Sequence, residues 1–302
     1  MHGSLALHRG VLYVGRHAKT AWVATYDLDG HALQTSFAFR DEHLGRSAVG
    51  GLDVDADHRV WVADTSAGRV RAFTLFGRQV VDIGDRDWQT RERQGERGKA
   101  DSVGLLGTPS DVLIRGGDEN LQVVVCSAGR RRHAVQVFHA HAGRVRSLRP
   151  LGDPRGRFHG ASGLAADGDL LYVCERGGGG AGGRVQVFLD DEFHFAIRLT
   201  PAGGVPFEPV AAALLSDGRC VIATAGETSS LLLVDRAGRL LRVLAEAGSE
   251  SGCLTHATDV VVARAHDDQD TRVLVIDQDG DRVQVFTLEG RCFGAFTALT
   301  GS

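Results

Sequence analysis

The chain has 302 residues, of which 43% are hydrophobic, with 40 glycines, 6 prolines and a formal net charge of −4. This length and apolar content allow one large folded domain, and the acidic balance excludes a globally cationic nucleic-acid binder. No basic segment followed by a long apolar run is present, and the five cysteines show no metal-binding spacing. We therefore expect a cytoplasmic protein that does not enter a membrane, with buried thiols in a reducing compartment.

Short apolar runs separated by turn residues recur along the chain. The clearest copy, residues 50–84, contains an apolar strand, an acidic turn, VWVAD, a short turn, RVRAF, the turn LFG and RQVVDI. Such short runs with turn residues between them are typical of antiparallel strands in a meander. Each copy therefore predicts four strands, which we label a to d.

Six copies follow one another in chain order. One aligned position is occupied by Phe73, Phe138, Phe188, Val234 and Phe286, at intervals of 46 to 65 residues. This period suits a four-stranded blade with its loops, and one blade cannot bury both of its faces alone. A solenoid is the alternative, but four strands per copy without a helical period favour closure into a ring.

The sequence thus predicts an all-β fold, a single six-bladed β-propeller of four-stranded antiparallel blades over residues 1–302. Both ends supply whole blades, so we expect the ring to close without strand exchange. The predicted blades cover approximately 1–40, 48–84, 107–150, 159–200, 206–246 and 255–299.

The segments GLDVDADHRVWVADTSAGRVRAF and TRVLVIDQDGDRVQVF resemble the repeats of the NHL family of propellers. The resemblance covers nearly the whole chain, although the first and fifth copies lack the Asp and the Arg-Val pair. It implies a six-bladed scaffold and is unspecific for activity.

The irregular segments of the sequence fall on one predicted face of the ring. In a propeller the a–b and c–d turns lie on one face, and the b–c turns and d–a connections lie on the other. The a–b turns are short and uniform, whereas the b–c turns and d–a connections are diverse. Because variable loops on a rigid scaffold usually carry function, we expect a site on the b–c/d–a face.

The strand-b termini form one predicted ring position near the channel mouth: Arg16, Asp64, Ser127, Glu175, Thr224 and Asp277. The spacing predicts structural pairs Asp64–Arg69, Asp277–Arg282 and Glu175–Arg184 across the b–c hairpins. The alternative is a carboxylate ring that holds a metal, calcium or zinc, or supplies an acid–base pair.

The predicted strand-a starts are His2, Gly50, Ser110, Ser162, Val210 and Thr258. Amidating lyases of the peptidylglycine type have similar repeats, and that resemblance implies zinc-binding histidines here with an arginine at the end of a strand b. His2 and Arg16 match this pattern, but the serines and the threonine do not. A three-histidine zinc site is therefore not supported. The candidate channel-mouth residues are His2, Arg16, Asp64, Glu175 and Asp277.

Basic residues cluster in three segments that the predicted topology places on one face, over the third and fourth blades. Propellers of NHL translational repressors bind single-stranded RNA on such a face, but Trp88 is the only aromatic residue in this patch and acidic residues dilute its charge. The candidate partner-binding residues are Arg86, Trp88, Arg91, Arg93, Arg97, Lys99, Arg130, Arg131, Arg132, Arg155 and Arg157.

No complete catalytic set or nucleophile motif is visible in the sequence. The sequence therefore favours a monomeric, non-catalytic scaffold without a cofactor, which binds a protein or peptide on its b–c/d–a face. RNA is the alternative partner. The alternative function is a propeller lyase or lactone-type hydrolase with a metal at the channel mouth.

Overall fold

The structure is a computed structural model. It describes residues 3–17, 20–42, 44–84, 103–128, 133–139, 144–148, 158–177, 182–199, 207–226, 229–279 and 281–297. Its strands form six sheets, each of four consecutive antiparallel strands. The predicted all-β, six-bladed propeller is thereby confirmed. Within the described residues, no helix has the length and apolar character needed to cross a membrane.

Each blade consists of strands a to d in chain order. Blades 1 and 2 contain β1 (Gly3–His8), β2 (Val11–His17), β3 (Ala21–Tyr26), β4 (Ala32–Phe39), β5 (Val49–Val54), β6 (Val60–Asp64), β7 (Arg69–Phe73) and β8 (Gln79–Gly84). Blades 3 and 4 contain β9 (Pro109–Arg115), β10 (Gln122–Ser127), β11 (Val135–His139), β12 (Arg144–Ser147), β13 (Ala161–Asp167), β14 (Leu170–Glu175), β15 (Arg184–Leu189) and β16 (Glu192–Ile197). Blades 5 and 6 contain β17 (Pro209–Leu214), β18 (Cys220–Thr224), β19 (Ser230–Val234), β20 (Leu240–Ala245), β21 (Ala257–Ala263), β22 (Arg272–Asp277), β23 (Arg282–Phe286) and β24 (Cys292–Phe296).

The alternating side chains of a middle strand pack against two different blades. In β6, Val60 and Val62 join a cluster with residues of blade 1, whereas Trp61 and Ala63 join a cluster with residues of blade 3. All four side chains are buried. A strand covered on both faces reads as a continuous apolar run, which explains why VWVA lacks polar alternation. The core therefore lies between blades, and no blade is complete alone.

The ring closes between blade 6 and blade 1. The described strands include no strand shared between the two sheets, because each sheet contains four consecutive strands. Thr258 Oγ1 donates a hydrogen bond of 3.2 Å to the carbonyl oxygen of Gly3, and the rings of Tyr26 and Phe296 lie 5.4 Å apart. Among the residues that the structure describes, direct packing and hydrogen bonds therefore join the ends of the ring, without strand exchange.

Buried glutamines connect strand c to the loop that enters the same blade. In the V-Q-V-F segment of blade 3, Gln136 accepts a hydrogen bond of 2.6 Å from the amide of Gly104 and donates one of 2.9 Å to the carbonyl oxygen of Leu105. In blade 6, Gln284 donates in the same way to the carbonyl oxygen of Cys253, at 2.7 Å. Because buried loop amides and carbonyls need partners, this residue fixes the d–a connections that enter blades 3 and 6.

Candidate functional site: an axial cavity

The strand-b terminus of blade 6 shows what the predicted channel-mouth carboxylates contact. Asp277 is fully buried and accepts hydrogen bonds from the amides of Thr255 and His256, both at 2.9 Å. It also pairs with Arg282 at 3.0 Å, as the spacing predicts. Burial favours the protonated carboxyl, but hydrogen bonds from Thr255, His256 and Arg282 outweigh it and lower the pKa of Asp277.

The corresponding residue of blade 4 is held in the same way. Glu175 is buried and accepts hydrogen bonds from the amide of His159 at 2.7 Å and from Arg184 Nε at 2.8 Å. Gln186 donates to the same carboxylate at 2.5 Å. The predicted Glu175–Arg184 pair is therefore present across the b–c hairpin.

The structure differs from the spacing-based expectation in blade 2. Asp64 accepts a hydrogen bond from Ser47 Oγ at 2.6 Å and pairs with Arg71 at 3.3 Å. Arg69, the partner that the spacing predicts, forms ion pairs with Asp41 and Asp82. The reason is that Arg71 occupies the buried position that a glutamine has in blades 3, 4 and 6, where it pairs with both Asp64 and Asp41.

The remaining channel-mouth candidates do not complete a metal site in the described part of the chain. Arg16 is buried, lies opposite Gly3 and forms an ion pair with Asp281 of the neighbouring blade. His2 lies outside the described residues. One group of three described residues brings metal-ligating atoms within 4.8 Å of one another, and it lies in an exposed turn of blade 1: Asp27, Asp29 and His31.

The predicted basic patch also lies outside the described residues. The structure therefore gives no contacts for these candidates: Arg86, Trp88, Arg91, Arg93, Arg97, Lys99, Arg130, Arg131, Arg132, Arg155 and Arg157. Their placement on the b–c/d–a face stays a prediction.

Hydroxyl groups at the starts of strands a form a layer of bonds between blades. Ser110 Oγ donates at 3.0 Å to the carbonyl oxygen of Ala161, and Ser162 Oγ donates at 3.0 Å to that of Pro209. The bond from Thr258 across the closing joint belongs to the same layer. Three of the six predicted ring positions therefore connect their blade to the next one, from blade 3 to 4, from blade 4 to 5 and from blade 6 to 1.

Three carboxylates form a second layer around the axis. Asp53 accepts a hydrogen bond of 2.7 Å from the amide of Ile114, one blade away. Asp111 accepts one of 2.8 Å from Leu164, again in the next blade. Asp259 accepts hydrogen bonds from Ser4 Oγ at 2.8 Å and from the amide of Leu5 at 2.7 Å, both in β1 of the next blade.

Each of these carboxylates has its orientation fixed by a second bond. The other carboxylate oxygen of Asp53, of Asp111 and of Asp259 accepts a bond of 2.8 Å from the amide of the next residue. Asp111 and Asp259 lie at equivalent register positions, opposite Cys126 and Ile276, whereas Asp53 lies two residues further along its strand, opposite Trp61.

We did not identify these carboxylates as candidates from the sequence. The signal was present, because an Asp-Val pair recurs within strand a of blades 2, 3 and 6 as Asp53-Val54, Asp111-Val112 and Asp259-Val260. An acidic residue inside an apolar strand is unusual enough to indicate a special environment.

The position of these groups inside the ring changes their ionisation. Burial raises the pKa of Asp53 to about 6 and that of Asp259 to about 6, although backbone amides oppose both shifts. The pKa of Asp111 is raised well above its ordinary value by burial and by the negative charge of Asp259. With pKa values of about 6, Asp53 and Asp259 change protonation close to neutral pH.

The carboxylates line an axial cavity of about 420 Å³. Strands a of all six blades supply its wall, which between the charged groups consists of leucine, alanine and valine side chains. The lining extends from Asp111 and Asp259 to the β1–β2 turn at Arg9 and to Arg264 after β21. The cavity therefore reaches the a–b turns, whereas the sequence-based prediction assigns the basic patch to the b–c/d–a face.

Chemically, this cavity combines apolar side chains of strands a with convergent polar groups, a combination that small-molecule sites use. A carboxylate oxygen can accept two hydrogen bonds. Both oxygens of Asp53 and of Asp111, and Oδ1 of Asp259, each accept one bond from a backbone amide and therefore keep acceptor capacity for a ligand. The arrangement can therefore bind a cationic group or a hydrogen-bond donor, and it can accept a proton.

The fold and this cavity define a six-bladed β-propeller with a central pocket. Comparison with protein-family models gives no match, and comparison with curated proteins gives none either. Virginiamycin B lyase from Staphylococcus aureus is structurally similar, with a TM-score of 0.58 and 10% identity over 99% of this chain and 85% of that one.

Two further solved structures are similar to a comparable extent. A streptogramin B lyase has a TM-score of 0.59 and 11% identity over 99% of this chain and 84% of its own. A gluconolactonase from Xanthomonas campestris has a TM-score of 0.57 and 15% identity over 96% of this chain and 84% of its own. At these identities the likeness establishes the propeller fold, and it does not establish an activity.

Proposed function

We propose that this propeller binds a small organic ligand with a cationic group in its axial cavity. Asp53, Asp111 and Asp259 are then the ligand-facing carboxylates. The observation that carries the proposal is an axial cavity of about 420 Å³ that contains three carboxylates oriented by backbone amides. Groups oriented before a ligand arrives lose little entropy on binding, which favours affinity.

An organic cation fits the spacing of these groups better than a shared metal ion does. Their carboxylate oxygens are not among the described sets that converge within 4.8 Å, as joint coordination of one ion requires. A substituted ammonium group can approach one carboxylate and place its apolar part against the leucine and valine wall. The predicted calcium or zinc site at the channel mouth remains a separate proposal.

Acid–base chemistry on the bound ligand is a natural extension of this proposal. A carboxyl with a pKa of about 6, such as Asp53, can accept or donate a proton near neutral pH, as a general acid or base requires. The structural neighbours carry the names of a lyase and a lactonase, which is compatible with the alternative of a propeller lyase or hydrolase. An enzyme of this kind would use the axial carboxylates, since Glu175 and Asp277 are engaged within their own blades.

The test is titration calorimetry with hexylamine at pH 7.5. We expect binding at about millimolar concentration, the range reasonable for so small a ligand, and a loss of at least about tenfold in Asp53→Asn. Asp57→Asn, at an exposed carboxylate outside the cavity, is the matched control and should bind as the wild type does. Equal affinities in all three proteins would refute the axial site.

A macromolecule-binding scaffold of NHL type is the second candidate. The strand order supports it, because the β8–β9 and β12–β13 connections and the β10–β11 turn all leave the same face of the ring. Those segments contain the predicted basic patch. A protein or peptide partner is favoured over RNA, since Trp88 is the patch's single aromatic residue for base stacking.

This second candidate is tested with an Arg93→Ala/Arg131→Ala double variant in affinity capture, with Arg239→Ala on the exposed turn of blade 5 as the control. Partners retained by the wild type and the control but lost by the double variant support it. RNA binding is tested separately with a single-stranded oligonucleotide, since the affinity for a phosphate backbone falls steeply as salt rises.

A further inference from the structure

Two arginines occupy equivalent positions at the turn end of the axial cavity. Arg9 lies five residues after Ser4 in blade 1, and Arg264 lies five residues after Asp259 in blade 6. Ser4 and Asp259 are themselves equivalent, since each lies one register step from the start of the pairing between strands a and b. Both arginines line the cavity, and their blades are neighbours in the ring.

The charges of these arginines are weakly compensated in the described part of the molecule. Arg9 lies on an exposed turn, and its Nη1 is 3.2 Å from a ring nitrogen of His58. Arg264 Nε donates to the carbonyl oxygen of Leu214 at 2.9 Å, and Arg264 Nη1 lies 3.9 Å from a carboxylate oxygen of Asp167. Both guanidinium groups thus retain N–H groups that can donate hydrogen bonds to an anionic group of a ligand.

The cavity therefore has opposite charges at its two ends. Asp111 and Asp259 lie at the inner end, Asp53 lies between the ends, and Arg9 and Arg264 lie at the turn end. Counted along strand a in the register of the a–b pairing, the position of Asp53 lies three residues before that of the two arginines. Three residues correspond to about 10 Å along an extended strand. Apolar side chains form the wall between the two levels.

We propose that the ligand is a zwitterion, with an ammonium group and a carboxylate separated by an apolar chain. The inference rests on the proposed function for the placement of the ammonium group against the axial carboxylates. The ligand's carboxylate would accept charge-assisted hydrogen bonds from Arg9 and Arg264, whose planar groups suit carboxylate geometry. A separation of about 10 Å favours ω-amino acids longer than 4-aminobutyrate.

The inference is tested by a length series in titration calorimetry. The wild type is titrated with 4-aminobutyrate, 6-aminohexanoate and 8-aminooctanoate, and with butylamine, hexylamine and octylamine as partners of the same length without the carboxylate. We expect 8-aminooctanoate to bind about tenfold more tightly than octylamine, and the gain to shrink as the chain shortens.

The arginine contribution is tested with an Arg9→Met/Arg264→Met double variant. Methionine keeps much of the apolar stem and removes the charge, so octylamine should bind as in the wild type while 8-aminooctanoate loses its advantage. Arg239→Met, at a side chain 81% exposed on a distant turn, is the control and should keep the advantage.

The titrations distinguish a failure of the zwitterion inference from a failure of the proposed cation site. If octylamine binds the wild type as tightly as 8-aminooctanoate does, or if the double variant keeps the advantage, the zwitterion inference is wrong and the cation site stands. If no amine binds in the wild type, both the inference and the proposed function are wrong.

Discussion

Ser4 and Asp259 meet at the closing joint of the ring, where Ser4 Oγ donates a hydrogen bond of 2.8 Å to Asp259 Oδ2. The same hydroxyl accepts a bond of 3.0 Å from the amide of Leu52 in blade 2, and the amide of Leu5 donates to Asp259 Oδ2 at 2.7 Å. One buried hydroxyl thus connects blades 6, 1 and 2. Asp259, one of the three axial carboxylates, therefore also accepts the hydrogen bonds that close the ring.

Ser4→Ala should destabilise the fold by about 1–3 kcal/mol, because it leaves the amide of Leu52 without its hydroxyl acceptor in the core. The free energy of unfolding from chemical denaturation measures this. Ser162→Ala, which removes one hydroxyl donor at the joint between blades 4 and 5, is the control and should cost less. Ser4→Ala with wild-type stability would show that the closing joint does not depend on this bond.

Asp277→Asn should destabilise the protein by roughly 3 kcal/mol at neutral pH, because it removes one partner of a buried ion pair with Arg282. The pKa of Asp277 is lowered in the folded protein, so its stabilisation is present above the ordinary value of 3.8 and is lost as pH falls through the native pKa.

The difference between wild type and Asp277→Asn should therefore shrink in denaturation at acidic pH. Asp279→Asn, at an exposed carboxylate of the following turn, should leave stability nearly unchanged. A fully stable Asp277→Asn protein would contradict the structural role and would return this residue to the list of channel-mouth site candidates.

Ionisation of Asp53 should make the protein less stable as pH rises. Its pKa is raised to about 6 in the folded protein from an ordinary value of 3.8, so its contribution is complete below about 3.8 and is lost as pH rises through about 6. This corresponds to at most about 3 kcal/mol. Denaturation between pH 4 and 8 should show a shallower decline in Asp53→Asn than in wild type or Asp57→Asn, and parallel curves would contradict the raised pKa.

The affinity for hexylamine should rise with pH. The pKa values of Asp53 and Asp259 are raised to about 6, so both carry a proton at pH 5 and a negative charge at pH 8. A cationic amine should therefore bind about tenfold more tightly at pH 8 than at pH 5. Hexanol, which carries no charge, is the control ligand and should show no such dependence. An equal pH dependence for both ligands would indicate a general conformational effect.

The fold could be predicted because each blade repeats the same local signals. Apolar runs such as Val60–Ala63 and turn residues between them recur six times, and a closed ring of blades covers both faces of such strands. The pairs Asp277–Arg282 and Glu175–Arg184 were predictable for the same reason, since residues opposite each other across a hairpin follow from spacing alone.

The axial cavity was less predictable because it forms between blades that are distant in sequence. Asp53 and Ile114 are 61 residues apart in the sequence. The local pattern of either strand does not show that the amide of Ile114 donates a hydrogen bond to the carboxylate of Asp53. Arg69 illustrates the same limit, since its partner Asp41 comes from the loop before its blade. The recurring Asp-Val pair was visible, but its meaning depends on the ring.

The most direct test of the axial site is a crystal structure of the protein with 6-bromohexylamine, in which anomalous scattering locates the bromine. We expect a bromine peak inside the axial cavity, with the amine nitrogen within hydrogen-bond distance of Asp53, Asp111 or Asp259. Bromine peaks located only outside the ring, in crystals that hold the ligand above its measured dissociation constant, would contradict it.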